Sequence, residues 1–275
     1  KRLFPDSKSI ALIVLFFFAA SGYTLTWDTI IRSYSCGAAL STALVLAGIW
    51  GLQSNRLKSA GALTAILIAA SFLTNYPTII IFPGAMLLIW LASGANRRSF
   101  LFASSSLLAG GVLVLILWGR SFFGQFGKIP SEAILAQPFS QAFGDQFGRV
   151  ILDYWRMLFS EGVWHYLVNP QSDYLDSLLN LSPTNPILYL IAFSLYAGAL
   201  LASFCRLYTT RSRLLLGIAA AAFLPGLFII VGNVIKPGFF RLHARHLYPA
   251  APFFYLFIAH GLSVLFRCKT RDAKT

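Results

Sequence analysis

Two stretches of the chain, Ser9 to Trp27 and Tyr34 to Leu52, carry no charged residue and approach the roughly 20 apolar residues that a helix needs to cross the hydrocarbon of a bilayer. Similar runs recur to the end of the sequence. In hydrocarbon every backbone N–H and C=O must find its partner inside the protein, so apolar runs of this length become helices and not open strands. The composition agrees. Of 275 residues, 57% are hydrophobic, 15% aromatic and 11% charged, against about 25% charged in an ordinary soluble domain. The fold expected is an all-α integral membrane protein, a single polytopic bundle over 1–275.

Counting apolar runs between charged breaks gives about eight transmembrane helices, near 9–27, 33–52, 59–74, 78–94, 99–118, 184–204, 213–233 and 246–266. Cys36, Cys205 and Cys268 fall inside or at the ends of these spans without pairing-like spacing. They read as small apolar residues, not as a disulfide framework or a zinc site. A net charge of +13 would suggest nucleic acid in a soluble protein. Here the basic residues gather at span ends, where they set topology, and nucleic acid is not expected as a partner. The opening run Lys1, Arg2, Leu3, Phe4, Pro5 reads as an interior loop, and no signal-peptide cleavage site follows the first apolar run. The chain is therefore expected to be the C-terminal part of a longer one.

Charge supplies an independent check on the spans. With Lys1, Arg2 and Lys8 on the cytoplasmic side, alternation places Arg56 and Lys58, Arg97 and Arg98, then Arg206, Arg211 and Arg213 on that side too, together with the tail from Arg267 to Lys274. Left on the outer face are Arg32, Arg120, Lys128, Arg149, Arg156, Lys236, Arg241 and Arg245. A single arginine at a span end ordinarily snorkels to the headgroups. These cluster in a few short stretches, which makes a functional reading worth testing.

The long polar stretch at 119–183 falls on the same outer face, and a loop of that length is usually functional or structured. Within it Phe139, Phe143, Phe147, Ile151, Tyr154 and Leu158 recur every three to four residues, with Gln141, Asp145, Arg149, Asp153 and Arg156 off the stripe. That periodicity predicts an amphipathic helix, lying on the membrane surface or covering the bundle. Pro138 suits its first turn, while Gly144 and Gly148 each weaken its interior by about 1 kcal/mol.

Ionisable residues at span ends are costly unless partnered, which makes them candidates for chemistry. Asp28 and Arg32 are four apart and pair if the turn is helical. The run from Lys236 to Pro249 is basic and aromatic, and on a helix Arg241 and Arg245, or His243 and His246, share a face. A cationic pocket at the membrane edge suits a phosphate, to which arginine offers a planar, permanently charged fork. Metal ligation by His243 and His246 is the weaker alternative, because no carboxylate stands nearby in sequence. No other cofactor is suggested. His260 reads as a hydrogen-bonded core histidine, and His165 as an interface anchor or, less readily, an acid or base. Asp173 and Asp176 lack a glycosidase-like context. No phosphate-cradling glycine loop, nucleophile elbow or zinc-protease motif is present.

Four pieces in order, "KRLFPDSKSIALIV", "IIRSYSCGAALSTALVLAGIW", "SFLTNYPTIIIFPGAMLLIWL" and "ARHLYPAAPFFYLFIAHGL", make the chain resemble the lipid-carrier-dependent glycosyltransferases of the GT-C type. That group contains protein O-mannosyltransferases and bacterial aminoarabinose-lipid A transferases. The resemblance implies a sugar donor linked to polyprenyl phosphate in a membrane lipid phase, and a glycan, lipid or protein acceptor hydroxyl. It also implies a bacterial inner (plasma) membrane with the active face outward. Arg32 and Tyr34 match the family's Arg-x-Tyr, and Arg245 matches its Arg before the Tyr/Leu-x-x-Pro run, so these would line the outward cavity. Arg241, His243 and Tyr248, from the same loop, complete the expected donor-phosphate site. There a cation would stabilise charge developing on the leaving phosphate. The family's acidic base belongs to a first outer loop, expected upstream of Lys1, and Asp28 does not match it. Two other functions are weighed: a ligase or polymerase of lipid-linked glycans using Arg149, Arg156 and His165, and a transporter or flippase. The latter calls for broken spans and repeat symmetry, of which only the interruptions at Asn75, Tyr76, Pro77 and at Pro225, Gly226 are present.

Overall fold

A computed structural model describes residues 10, 12–14, 34–74, 76–126, 143–144, 146–151, 154, 186–235 and 244–272. The protein is an all-α polytopic membrane bundle, and among the described residues there is no strand. Seven α-helices follow one another: α1 (Tyr34–Gln53), α2 (Leu57–Thr74), α3 (Phe82–Ala92), α4 (Arg97–Phe126), α5 (Pro186–Thr210), α6 (Arg213–Ile235) and α7 (Ala251–Asp272). Two 3-10 helices, Tyr76–Ile81 and Ala244–Ala250, lead into α3 and α7. Six helices, all but α3, are long and apolar enough to cross a membrane. Of the first expected span, 9–27, only residues 10 and 12–14 are described.

The fourth expected span, 78–94, is not one continuous helix. Its α-helical part is the 11-residue α3, preceded by the six-residue 3-10 helix that holds Pro77. The physical reason is the pair Pro77 and Pro83, which remove two backbone donors, and a residue before proline is pushed out of the α region. At ~1.5 Å per α residue and ~2 Å per 3-10 residue, the two pieces together cover about 29 Å, close to the ~30 Å of hydrocarbon. Apolar all round, α3 buries Phe82, Gly84, Ala85, Met86, Leu88, Ile89 and Leu91. Such a helix belongs inside a bundle.

Close approach of α3 and α6 depends on residues without side chains. A Cβ on Gly84 would lie 2.8 Å from the carbonyl oxygen of Ala220, and one on Gly217 would lie 2.9 Å from Cα of Leu88. The two helices run antiparallel, since Gly84 meets Ala220 and Ala221, Leu88 meets Gly217, and Gly94 accepts from Arg213. Membrane helices gain little from hydrophobicity against lipid, so such backbone proximity, which maximises packing, supplies much of their association. The interior is set by α6 and α7. The membrane-length stretches of these two are 56% and 72% buried, against 22% for α4 and α5, which lie at the flanks of the described bundle.

Helix ends follow local chemistry. Asn96 caps α4, its Oδ1 accepting from Ser99 N at 2.8 Å while Ser99 Oγ accepts from Asn96 N at 3.2 Å, a reciprocal capping box. Ser212 starts α6, its Oγ accepting from Leu215 N at 3.3 Å. Residues in the left-handed region close the three tight turns: Asn55 (φ 60°), Gly94 and Ala95 (φ 95° and 54°), and Arg211 (φ 48°). The 30-residue α4 continues to Phe126, past Gly119 where the outer loop is expected to begin.

Candidate functional site

The tight turns gather at one end of the bundle. Arg98 donates from its guanidinium to Asn55 Oδ1, joining the α3–α4 turn to the α1–α2 turn. Arg213 Nη1 donates to the carbonyl of Gly94 at 3.0 Å, joining the α5–α6 turn to both. Arg56, stacked 5.9 Å above the Trp50 ring, completes this basic end. The basic short loops read from the sequence as lying on one side, Arg56 and Lys58, Arg97 and Arg98, and Arg206 to Arg213, do lie at a common end.

The opposite end is built differently. Here α1 begins, and the two 3-10 helices meet it. A Cβ on Gly37 would lie 3.2 Å from Thr78 Cγ2 and 3.4 Å from Pro249 Cγ, so the first turn of α1 touches both 3-10 helices. The elements carrying Tyr34 and Arg245 are therefore neighbours. Tyr34 is the first residue of α1, and Arg245 the second residue of the Ala244–Ala250 helix. Arg32, Arg241, His243 and Asp28 lie outside the described residues. Tyr248 is 1% exposed and packs in the core with Leu247, Phe254 and Tyr255. Its ring is a foundation of the 3-10 helix and does not face an open surface.

On the flank formed by α5, α6 and α7, part-way along the bundle, lies an open apolar cavity of about 310 Å³, lined by Phe143, Phe147, Tyr154, Phe223, Leu227 and Phe254 among others. Phe254 stands in the first turn of α7, immediately after the 3-10 helix that holds Arg245. One wall comes from 143–154, within the loop that sequence periodicity assigned to an amphipathic helix; its residues 143, 144, 146–151 and 154 are helical. Phe143 and Phe147 stack at 6.1 Å, while Tyr154 lies 5.1 Å from Phe254 and 5.5 Å from Phe223. Tyr154 Oη donates to the carbonyl of Ala222 at 2.6 Å. This anchor sits on α6 three residues before Pro225, which the helix carries within its length without a break. The next residue is Gly226, on which a Cβ would lie 2.8 Å from Tyr154 Cε2 and 2.9 Å from Val150 Cγ1. The interruption read from the sequence at Pro225 and Gly226 is not a break in the structure, where α6 runs unbroken from Arg213 to Ile235; its packing against Tyr154 was not visible in the sequence.

His260 is half-buried on α7, its Nδ1 3.3 Å from Ser203 Oγ, and Ser203 Oγ donates to the carbonyl of Phe257 at 2.7 Å. With the single hydroxyl proton committed to Phe257, the imidazole is the donor to Ser203. This contact gives His260 a hydrogen-bonding role within the packed helices. Among the described residues no group of three His, Cys, Asp or Glu side chains is placed to hold a metal ion. Cys36 and Cys205 are free thiols on exposed positions. Comparison of the chain with protein-family models, with curated proteins and with solved structures finds no match.

Proposed function

We propose that the protein is a membrane glycosyltransferase that moves a sugar from a polyprenyl-phosphate carrier to an acceptor hydroxyl at the end of the bundle opposite the basic turns. The observation that carries this reading is a juxtaposition. The 3-10 helix holding Arg245 runs directly into the first turn of α7, whose Phe254 lines the apolar cavity. A carrier lipid has the same two-part character, an apolar chain ending in a phosphate. In this reading the cavity takes part of the chain, and Arg245, with Arg32 and Arg241, meets the phosphate where charge builds as the glycosidic bond breaks. Tyr34, heading α1, and His243 are the further residues this reading assigns to the phosphate. Tyr248 positions the turn from within the core.

The positive-inside rule orients this end away from the cytoplasm, which in a bacterial inner membrane is the side where lipid-linked sugars are used. The test uses purified full-length protein with a polyprenyl-phosphate sugar and an acceptor. Transfer should fall by about 100-fold or more in Arg245→Ala, the scale of losing one donor to a developing oxyanion. Thermal stabilisation by the sugar-free polyprenyl phosphate should disappear with it. Transfer by Arg245→Ala at the parent rate would remove the phosphate clamp from the mechanism.

A further inference from the structure

We propose that the basic end of the bundle is a docking surface for the anionic phospholipid headgroups of the leaflet it adjoins. The inference is independent of any transfer reaction. Arg56, Lys58, Arg97, Arg98, Arg206, Arg211 and Arg213 are all exposed. Hydrogen bonds from Arg98 to Asn55 and from Arg213 to Gly94 hold their three turns together as one face.

The order of residues along each helix sharpens the point. Every helix that arrives at this end through a tight turn has an aromatic in its last turn: Trp50 in α1, Trp90 in α3 and Tyr208 in α5. Every helix that leaves begins with cations: Lys58 in α2, Arg97 and Arg98 in α4, Arg213 in α6. Tryptophan and tyrosine at span ends mark the headgroup layer, so the cations stand at the depth of the lipid phosphates. Tyr208, 85% exposed, has that amphipathic placement most plainly.

Electrostatics inside the protein works against this arrangement. A helix N-terminus carries a partial positive charge and is ordinarily complemented by Asp or Glu. None of α2, α4 and α6 has an acidic residue in its first turn. Three helix N-termini and seven exposed cations give this end a positive field that attracts anions. Phosphodiesters of a membrane surface are the anions found at that depth, and polybasic faces next to spans bind them. The guanidinium forks add bidentate geometry to the attraction.

Thermal unfolding of the full-length protein in phosphatidylcholine nanodiscs is to be compared with unfolding in nanodiscs containing phosphatidylglycerol. The phosphatidylglycerol sample should unfold about 3 °C or more higher. The gain should shrink at high salt, where the Debye length falls to about 3 Å. Lys58, Arg97 and Arg211 make no side-chain hydrogen bond within the described residues, so the triple variant Lys58→Gln/Arg97→Gln/Arg211→Gln leaves the ties between turns intact. It should unfold near the parent temperature in phosphatidylcholine and lose most of the gain. If that variant does not fold, native mass spectrometry of the parent replaces it, and retention of phosphatidylglycerol over phosphatidylcholine is the supporting result. Equal unfolding temperatures in the two lipids, a gain that survives the triple substitution, equal retention of both lipids, or a gain reproduced by inorganic phosphate would each overturn the proposal.

Discussion

Tyr154 ties the wall of the apolar cavity to the bundle through one hydrogen bond and one ring seat. The bond is the donation to the Ala222 carbonyl at 2.6 Å; the seat is Gly226, which leaves room for the ring. Removing the hydroxyl in Tyr154→Phe should cost about 1 kcal/mol, the usual net worth of a buried hydrogen bond. Filling the seat in Gly226→Ala should cost about 1–3 kcal/mol through overpacking. Because both act on the same ring, the double variant should cost less than the sum, and chemical denaturation in mild detergent measures that coupling. Costs that simply add would mean that the ring and the glycine do not share one seat. Tyr154 was legible as a member of an apolar stripe, because periodicity is a local property. Its contact with Ala222 and Gly226 joins residues far apart in the chain, and no spacing rule reaches that far. The same limit applies to Gly37, Thr78 and Pro249, whose meeting brings the elements of Tyr34 and Arg245 together.

At the scale of elements, apolar length identified α1, α2, α4, α5, α6 and α7, with boundaries that differ by a few residues from the charged breaks. At 78–94 it found the apolar segment but not its division into a 3-10 and an α piece, since counting apolar residues does not register the donors lost at Pro77 and Pro83. It ended the fifth span at 118, where the apolar part of α4 ends, while the helix itself continues through Gly119 to Phe126, a glycine costing a helix about 1 kcal/mol. The turns offer a cleaner test. Ala95 holds φ 54°, a conformation whose steric cost falls on the Cβ. Ala95→Gly should therefore stabilise the protein by about 0.5–1 kcal/mol even after the entropy that glycine loses on folding. A raised midpoint of thermal unfolding checks this. An unchanged or lowered midpoint would show that the α3–α4 turn relaxes around the alanine.

For the whole molecule, the charge pattern gave the correct grouping of the basic turns at one end, because short loops leave the chain no other way to return. Which membrane face that end meets is a matter for labelling. In a cysteine-free background, Ser54→Cys and Thr209→Cys should react with an impermeant thiol reagent from the cytoplasmic side of sealed vesicles. Ala244→Cys, at the start of the second 3-10 helix, should react from the other. Reaction of Ser54→Cys and Ala244→Cys from the same side would contradict the topology outright.

The turns between α1 and α2, α3 and α4, and α5 and α6 are only a few residues long and are cross-tied by Arg98 and Arg213. At the other end the links after α4 and after α6 are far longer. Mechanically, the bundle is a set of rods clamped at one end. What holds the far end, where α1, Tyr76–Ile81 and Ala244–Ala250 meet, is side-chain packing such as that of Gly37 against Thr78 and Pro249, not a tie between short turns.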